Sequence, residues 1–316
     1  MTDTTLFVHI PKTAGTSLRQ SAIGHFGSGA CLFDYGPAAR ETSEDVREWM
    51  YRQRDPYGLQ KALGRRSARF FGGHFPALRY LPLFGCLNTV SFVRSPRTQV
   101  PSHFAHHARH HGYPGSFAQF VRSPQGGRLQ SSMLQGVPLE ALRFVGVTER
   151  YEESLQALAG ELGLPLDVLH ENGNPSAAAQ DDYDDLLPAD DEAFATACAD
   201  DLALHRRANA LLDHRLQARR DGRPYVHGAL THVDAGRIDG FAFTRHDDRP
   251  IVVDLLADGR PLAQVTASLD RIPLRSMGAP RNGYVGFSFR EDAALPAGTR
   301  VEARAGPQVI GEAIVA

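Results

Sequence analysis

The stretch Leu6–Leu18 reads LFVHIPKTAGTSL, and it contains the pattern that decides the fold. Its first residues are apolar or β-favouring and stop at Pro11, as a short buried strand does. A tight polar run containing Gly15 follows, and a helical pattern then begins. A strand, a glycine-containing loop and a helix together turn backbone N–H groups and a helix N-terminus toward one point. This arrangement favours the binding of a phosphate or sulfate group.

The loop differs from the Walker A motif of proteins that bind nucleoside triphosphates. That motif places its second glycine before the lysine, whereas Gly15 follows Lys12 in this chain. We therefore expect an anion site for a nucleotide that is not a triphosphate. A kinase-like nucleotide-binding protein is the second enzyme class to consider. The order of Lys12 and Gly15 argues against it.

Composition predicts an ordinary soluble protein with two domains. The chain has 316 residues, of which 42% are hydrophobic and 22% are charged. Its formal net charge of −2 gives no general attraction to nucleic acid or to a membrane surface. We therefore expect no nucleic-acid partner, and an anionic partner would need a local basic patch.

The lack of a recognisable targeting signal, together with the cysteine pattern, predicts a cytoplasmic location. The first strand begins close to Met1, which leaves no room for a signal peptide, and no apolar run approaches the roughly 20 residues of a membrane helix. The cysteines are Cys31, Cys86 and Cys198, and their odd number and wide spacing argue against a disulfide framework. A homo-oligomer and a monomer both stay open.

Strand patterns alternate with helical patterns over the first two thirds of the chain. This alternation predicts a P-loop-like α/β fold, with a parallel sheet covered by helices on both faces. Gly27–Tyr57 is predicted to hold little more than surface helix, and Thr148 is expected to cap a helix that stops at Gly163. The other predicted elements are helices at Thr16–Phe26 and about Ala189–Arg219, and strands at Arg69–His74, Leu87–Val93 and Phe144–Val147.

The composition changes near Arg220, where helical patterns give way to short strand-like runs. Asp258-Gly259 is a strong hairpin signal between two of these runs. We predict domain 1–222 with the α/β fold and domain 223–316 as a small, sandwich-like all-β module. The predicted strands are Ile251–Ala257, Leu262–Ala267, Tyr284–Phe289 and Val301–Ala305.

The segment PKTAGTS resembles the 5′-phosphosulfate-binding loop of sulfotransferases that use 3′-phosphoadenosine 5′-phosphosulfate (PAPS). It is most similar to the family 2 branch, which contains heparan sulfate 2-O-sulfotransferase and many bacterial relatives. The resemblance implies that the phosphosulfate is held by Pro11, Lys12, Thr13, Ala14, Gly15, Thr16 and Ser17. It also implies that Lys12 stabilises the charge on the oxygen that leaves with the 5′-phosphate.

A second motif, FVRSPRTQVPS, resembles the 3′-phosphate site of the same family. Arg94 and Ser102 keep the family's spacing, and they are the expected ligands of the 3′-phosphate. Ser95 stands where the family usually has Asp. Pro101 directly precedes Ser102, so we expect the helix there to start late or to kink.

His74, in the sequence GGHFP, is the candidate general base, because relatives carry a catalytic histidine in a similar place. A structural histidine at a strand end is the alternative. The histidines between 103 and 111 share a helical stripe, but we expect no metal site, because metal ligands usually come from several elements. The stripe is interpreted as a helix face near the site opening.

The β module resembles a module appended to bacterial glycosyltransferases and other surface-polysaccharide proteins. The matching pieces are Gly236–Ala242 (GRIDGFA), Asp258-Gly259, Arg271 and Gly283–Phe287 (GYVGF). Both resemblances together imply a PAPS-dependent sulfotransferase with a carbohydrate acceptor, which would be a poly- or oligosaccharide. The alternatives are an inactive glycan-binding or assembly protein, and a sulfotransferase for a small hydroxyl compound that is not a carbohydrate.

Overall fold

A computed structural model describes residues 4–163, 191–290 and 294–316 of the chain. The chain divides into two units, which we call the α/β unit and the β unit. The sequence-based domain boundary after residue 222 stays a prediction. The α/β unit comprises Met1–Phe84, Asn88–Val137 and Phe144–Leu212, and the β unit comprises Gly85–Leu87, Pro138–Arg143 and Asp213–Ala316.

The α/β unit contains a five-stranded sheet with the order β2-β3-β1-β4-β5. All four neighbouring pairs are parallel. Every strand residue is buried, as expected when helices cover both faces of a parallel sheet. This confirms the predicted fold class. The strands are β1 (Thr5–Val8), β2 (Cys31–Asp34), β3 (Phe70–Gly73), β4 (Thr89–Val93) and β5 (Phe144–Val147).

Helices fill the connections between these strands and follow the last one. Gly163, at φ 65°, ends one of them in the left-handed conformation that glycine adopts without strain. The helices are α1 (Gly15–Phe26), α2 (Glu44–Val46), α3 (Pro56–Arg65), α4 (Leu81–Phe84), α5 (Pro96–His111), α6 (Phe117–Val121), α7 (Leu129–Met133), α8 (Tyr151–Leu162), α9 (Asp191–Ala197) and α10 (Ala199–Arg220), with a π-helical stretch at Arg47–Arg52.

The strand order places β1 at the centre of the sheet, with β3 on one side and β4 on the other. The chain therefore builds the β2–β3 half first and then crosses to the β4–β5 half. The carboxyl ends of β1 and β4 flank this switch point, which is where open α/β sheets bind their ligands. The loop after β1 carries Lys12, and the loop after β4 carries Arg94.

Three details of the α/β unit differ from the sequence-based expectation. Strand β2 lies within the segment for which only surface helix was predicted. Thr148 does not cap α8, because its hydroxyl donates to the Val93 carbonyl at 3.0 Å and a 3₁₀ turn, Thr148–Arg150, precedes the helix. The predicted long helix is divided at Cys198 into α9 and α10. Its expected start, near Ala189, lies outside the described residues.

The β unit contains two four-stranded antiparallel sheets, with the orders β10-β11-β7-β6 and β13-β12-β8-β9. Ile238 and Phe287 of the first sheet share one core with Val253 and Val301 of the second, so the predicted sandwich is confirmed. Its strands are β6 (His227–Val233), β7 (Arg237–Phe243), β8 (Val252–Ala257), β9 (Arg260–Thr266), β10 (Leu269–Asp270), β11 (Tyr284–Arg290), β12 (Arg300–Ala305) and β13 (Gln308–Ile314), and helix α11 (Ile272–Ser276) lies between β10 and β11.

The hairpin predicted at Asp258-Gly259 joins β8 to β9. Both residues have positive φ, 49° and 76°, as a two-residue type I′ turn requires.

Across the described part of the chain, no helix combines the length and the apolar character that crossing a bilayer requires.

Candidate anion-binding site

The loop after β1 has an unusual backbone. Lys12 (φ 67°) and Ala14 (φ 63°) both adopt the left-handed conformation, which non-glycine residues rarely accept outside functional sites. The buried Thr13 lies between them, and its hydroxyl donates to the Ile10 carbonyl at 2.8 Å, which closes the loop on itself. Alternation of the sign of φ makes a concave run of N–H groups suited to an anion.

Side chains around this concave backbone add positive charge and hydroxyl groups. Lys12 and Thr16 are exposed, whereas Ser17 is buried and hydrogen-bonds the Tyr151 side chain. Although Lys12 as a whole residue is exposed, desolvation of its ammonium group, and then the positive charges of Arg94 and Arg109, lower the pKa of Lys12. The loop therefore presents an ammonium group that an incoming anion would stabilise.

Arg94 connects the loop after β4 to the loop after β1. Its Nη1 donates to the Lys12 carbonyl at 3.3 Å. The Gln99 side chain makes a second link, because its Nε2 donates to the Pro11 carbonyl at 3.1 Å. The two motifs singled out in the sequence, 82 residues apart, therefore meet at the switch point of the sheet.

Ser102 lies on α5, on the same face as a residue that contacts Arg94. The Arg94 Nε donates to Thr98 Oγ1 at 3.0 Å, and Ser102 follows Thr98 by one helical turn. Helix α5 starts at Pro96, so the expectation of a late start is wrong. Pro96 occupies the first helical position, where a proline costs no hydrogen bond, and the helix continues through Pro101 in its second turn. The alternative expectation, a kink at Pro101, stays a prediction.

His74 follows β3, on the other side of β1. Its Nδ1 lies 2.6 Å from the His9 carbonyl oxygen. A carbonyl only accepts hydrogen bonds, so Nδ1 carries the proton and Nε2 keeps its lone pair. His74 as a whole residue is exposed, but desolvation of its imidazole lowers its pKa, which favours this neutral form. The ring is thus prepared to accept a proton.

His9 joins His74 to the anion loop, a role that its sequence position did not reveal. The buried His9 ring lies 4.5 Å from the ring of His74, and its Nδ1 lies 3.0 Å from the Tyr35 hydroxyl oxygen. A Cβ on Gly15 would lie only 2.3 Å from His9 Nε2. Burial, and then the charges of His74 and Arg19, hold the pKa of His9 well below its usual value.

The histidine stripe on α5 forms contacts among its own members. His103 and His107 approach each other at 3.1 Å between their Nε2 atoms. Burial, followed by the charge of His107, lowers the pKa of His103 to about 4, so this pair is neutral near pH 7. Within the ranges that the structure describes, no three His, Cys, Asp or Glu side chains are placed to share a metal ion.

Comparison with known proteins finds a likeness among solved structures. Neither protein-family models nor curated proteins match the chain. Among solved structures, it is similar to the crystal structure of a sulfotransferase from Alicyclobacillus acidocaldarius, with 13% identity and a TM-score of 0.35. The match covers 66% of this chain and 98% of the other.

Proposed function

We propose that the chain is a sulfotransferase that moves a sulfuryl group from PAPS to a hydroxyl group of a carbohydrate acceptor. The observation that carries the proposal is the meeting of the two anion motifs, with Arg94 Nη1 3.3 Å from the Lys12 carbonyl oxygen. PAPS carries negative charge at its sulfated 5′-phosphate and at its 3′-phosphate. An enzyme that binds it needs two anion sites, which the Lys12 loop and the Arg94 loop would supply.

The identity of residue 12 supports this reading independently of the motif. Lys12 and Lys61 are the only lysines among the 34 lysines and arginines of the chain. Where only a positive charge is needed, this protein nearly always has an arginine, so a lysine at position 12 indicates a more specific requirement. A compact ammonium differs from a planar guanidinium, because it concentrates its charge on one atom, as a single leaving oxygen requires.

The proposed reaction is an in-line displacement at sulfur. The acceptor hydroxyl oxygen forms the new bond to sulfur, while the bond between sulfur and the 5′-phosphate oxygen breaks. The electron pair of that bond leaves with adenosine 3′,5′-bisphosphate, where Lys12 would stabilise it. The hydroxyl proton passes to Nε2 of His74, whose Nδ1 stays bound to the His9 carbonyl. No step requires a metal ion.

The nature of the acceptor rests on resemblance rather than on geometry. The loop sequence PKTAGTS and the β module both resemble parts of proteins that act on polysaccharides, which supports a poly- or oligosaccharide acceptor. The tyrosine and histidine rings of Tyr35 and His74, which meet edge to face at 4.7 Å, would stand beside it. A cytoplasmic enzyme acting on a polysaccharide precursor fits this proposal.

Calorimetric titration with adenosine 3′,5′-bisphosphate tests the donor site. We expect binding to the wild type, and we expect Arg94→Ala and Lys12→Ala to weaken it. Arg69→Ala is the matched control, because Arg69 precedes β3 and therefore lies at the opposite, amino-terminal edge of the sheet. A wild type that does not bind would refute the proposal and favour a glycan-binding or assembly protein.

Activity measurements then test the acceptor. Transfer of labelled sulfate from PAPS to a panel of oligosaccharides is expected, and His74→Ala should abolish it while leaving nucleotide binding intact. Transfer only to small hydroxyl compounds that are not sugars would contradict the carbohydrate assignment and leave the sulfotransferase assignment standing.

A further inference from the structure

Arg94 is held by two separate sets of contacts, one from Gln130 and one from Glu149. The first set holds its backbone. The Gln130 side chain accepts from the Arg94 N–H at 2.9 Å and donates to the Arg94 carbonyl at 2.8 Å. Asp201 on α10 in turn accepts from the backbone N–H groups of Gln130 and Ser131, at 3.1 and 2.7 Å.

The second set holds the Arg94 side chain. Its Nε donates to Thr98 Oγ1, and Thr98 Oγ1 lies 3.2 Å from Glu149 Oε1. The same Glu149 oxygen accepts from the Ser95 N–H at 2.8 Å. The other carboxylate oxygen, Oε2, lies 3.1 Å from Nε2 of His205 on α10. Both sets therefore end on one helix face, because Asp201 and His205 are four residues apart.

Glu149 supplies a hydrogen-bond acceptor at the start of α5, where it accepts from the backbone N–H of the N-cap residue Ser95. Ser95 is the N-cap, yet its side chain makes no capping hydrogen bond. The Glu149 carboxylate reaches the start of this helix from the turn after β5 instead. An acidic group at this place interacts favourably with the partial positive charge of the helix N-terminus.

We propose that Glu149, held by His205, is a positioning residue that orients the Arg94 guanidinium for the 3′-phosphate of the donor. This inference rests on the proposed function. Its mechanism is the series of contacts from His205 through Glu149 and Thr98 to Arg94. Glu149 itself does not touch the nucleotide in this proposal.

The sign of the effect separates positioning from simple electrostatics. A carboxylate near an anion site repels the anion, so charge removal by itself would tighten nucleotide binding. Loss of a hydrogen bond that orients a charged ligand-binding group weakens binding instead. Glu149→Ala is therefore expected to weaken binding of adenosine 3′,5′-bisphosphate by about tenfold, since hydrogen bonds to charged groups have this order of strength.

The experiment compares adenosine 3′,5′-bisphosphate with adenosine 5′-monophosphate, which lacks the 3′-phosphate. Calorimetry gives both affinities for the wild type, Glu149→Ala, Thr98→Val and Arg94→Ala. Positioning predicts that the first two substitutions lower the preference for the bisphosphate and leave monophosphate binding nearly unchanged. It also predicts that Glu149→Ala adds nothing when Arg94 is already alanine. Thr98→Ser, which keeps the hydroxyl, should retain the wild-type preference.

Three results would overturn the inference. If Glu149→Ala weakens the binding of both nucleotides by the same factor, the residue only supports the fold. If it tightens bisphosphate binding, electrostatic repulsion dominates. In both cases the proposed function stands, because the wild type still prefers the bisphosphate. A wild type without that preference would refute the proposed donor and the inference together.

Discussion

Substitution of Gly15 by alanine tests whether His9 supports the anion loop. The added Cβ would lie 2.2 Å from Cδ2 and 2.3 Å from Nε2 of His9, far inside van der Waals contact. The His9 ring has little freedom to retreat, because it stacks on Phe7 at 5.2 Å and its Nδ1 lies 3.0 Å from the Tyr35 hydroxyl oxygen. We therefore expect Gly15→Ala to destabilise the α/β unit by about 1–3 kcal/mol, the usual range for overpacking.

The chain provides a control in the same helix. Gly24 also lies in α1, but a Cβ there would meet no atom within 4 Å. Gly24→Ala should stabilise the unit by about 0.5–1 kcal/mol, because alanine is the better helix former. The two substitutions are chemically identical and are predicted to have opposite signs.

Urea denaturation followed by tryptophan fluorescence measures both effects. The chain has a single tryptophan, Trp49, which lies in the α/β unit and reports on its unfolding. In a His9→Ala background the clash is gone, so Gly15→Ala should then cost little, and the coupling free energy should be about 1–3 kcal/mol. An unchanged free energy of unfolding in Gly15→Ala would refute the proposed support of the loop by His9.

Three further predictions concern protonation. An amine-acylating reagent should modify Lys12 faster than Lys61, because the lowered pKa of Lys12 leaves more of its amine deprotonated; peptide mass spectrometry reads both sites, and adenosine 3′,5′-bisphosphate should protect Lys12 alone. The rate of sulfuryl transfer should rise with pH through a pKa below 6.5, since the base must be unprotonated and the pKa of His74 is lowered. His74→Ala should remove this rise and lower turnover by about 10²–10⁴-fold. Burial, with Arg215 nearby, holds the pKa of His227 well below 6.5, so only the unfolded chain gains a proton there as the pH falls below 6.5. The β unit should then lose up to about 1.4 kcal/mol of stability per pH unit, and His227→Asn should reduce this slope in urea titrations followed by circular dichroism.

The sequence predicts the parts of the fold that have strong local patterns. Phe144–Val147 is a strand with the predicted bounds, and the helix expected from Thr16 begins one residue earlier, at Gly15. Strand β2 escapes prediction because its short run, Cys31–Asp34, ends in an aspartate, a residue that strands rarely contain. The buried Asp34 carboxylate is stabilised there by several donors, among them the hydroxyls of Tyr51 and Tyr80 at 2.7 and 2.6 Å and the backbone N–H of Gly36 at 3.0 Å.

The residues of the candidate site likewise fall into those that the sequence singles out and those that only the structure reveals. Lys12 and Arg94 belong to local motifs, so their positions in the sequence suffice to single them out. His9, Gln130 and Glu149 act through contacts between residues far apart in the chain, and no local pattern indicates such contacts.

The central place of β1 in the sheet also affects how such an enzyme can change. For the proposed reaction, the groups that bind the nucleotide come from β1 and the β4–β5 half, whereas Tyr35 and His74 follow β2 and β3. Substitutions or insertions after β2 can therefore alter the accepted hydroxyl compound while the nucleotide contacts stay intact. Evolution, or a designer, can thus vary the acceptor while the donor stays the same.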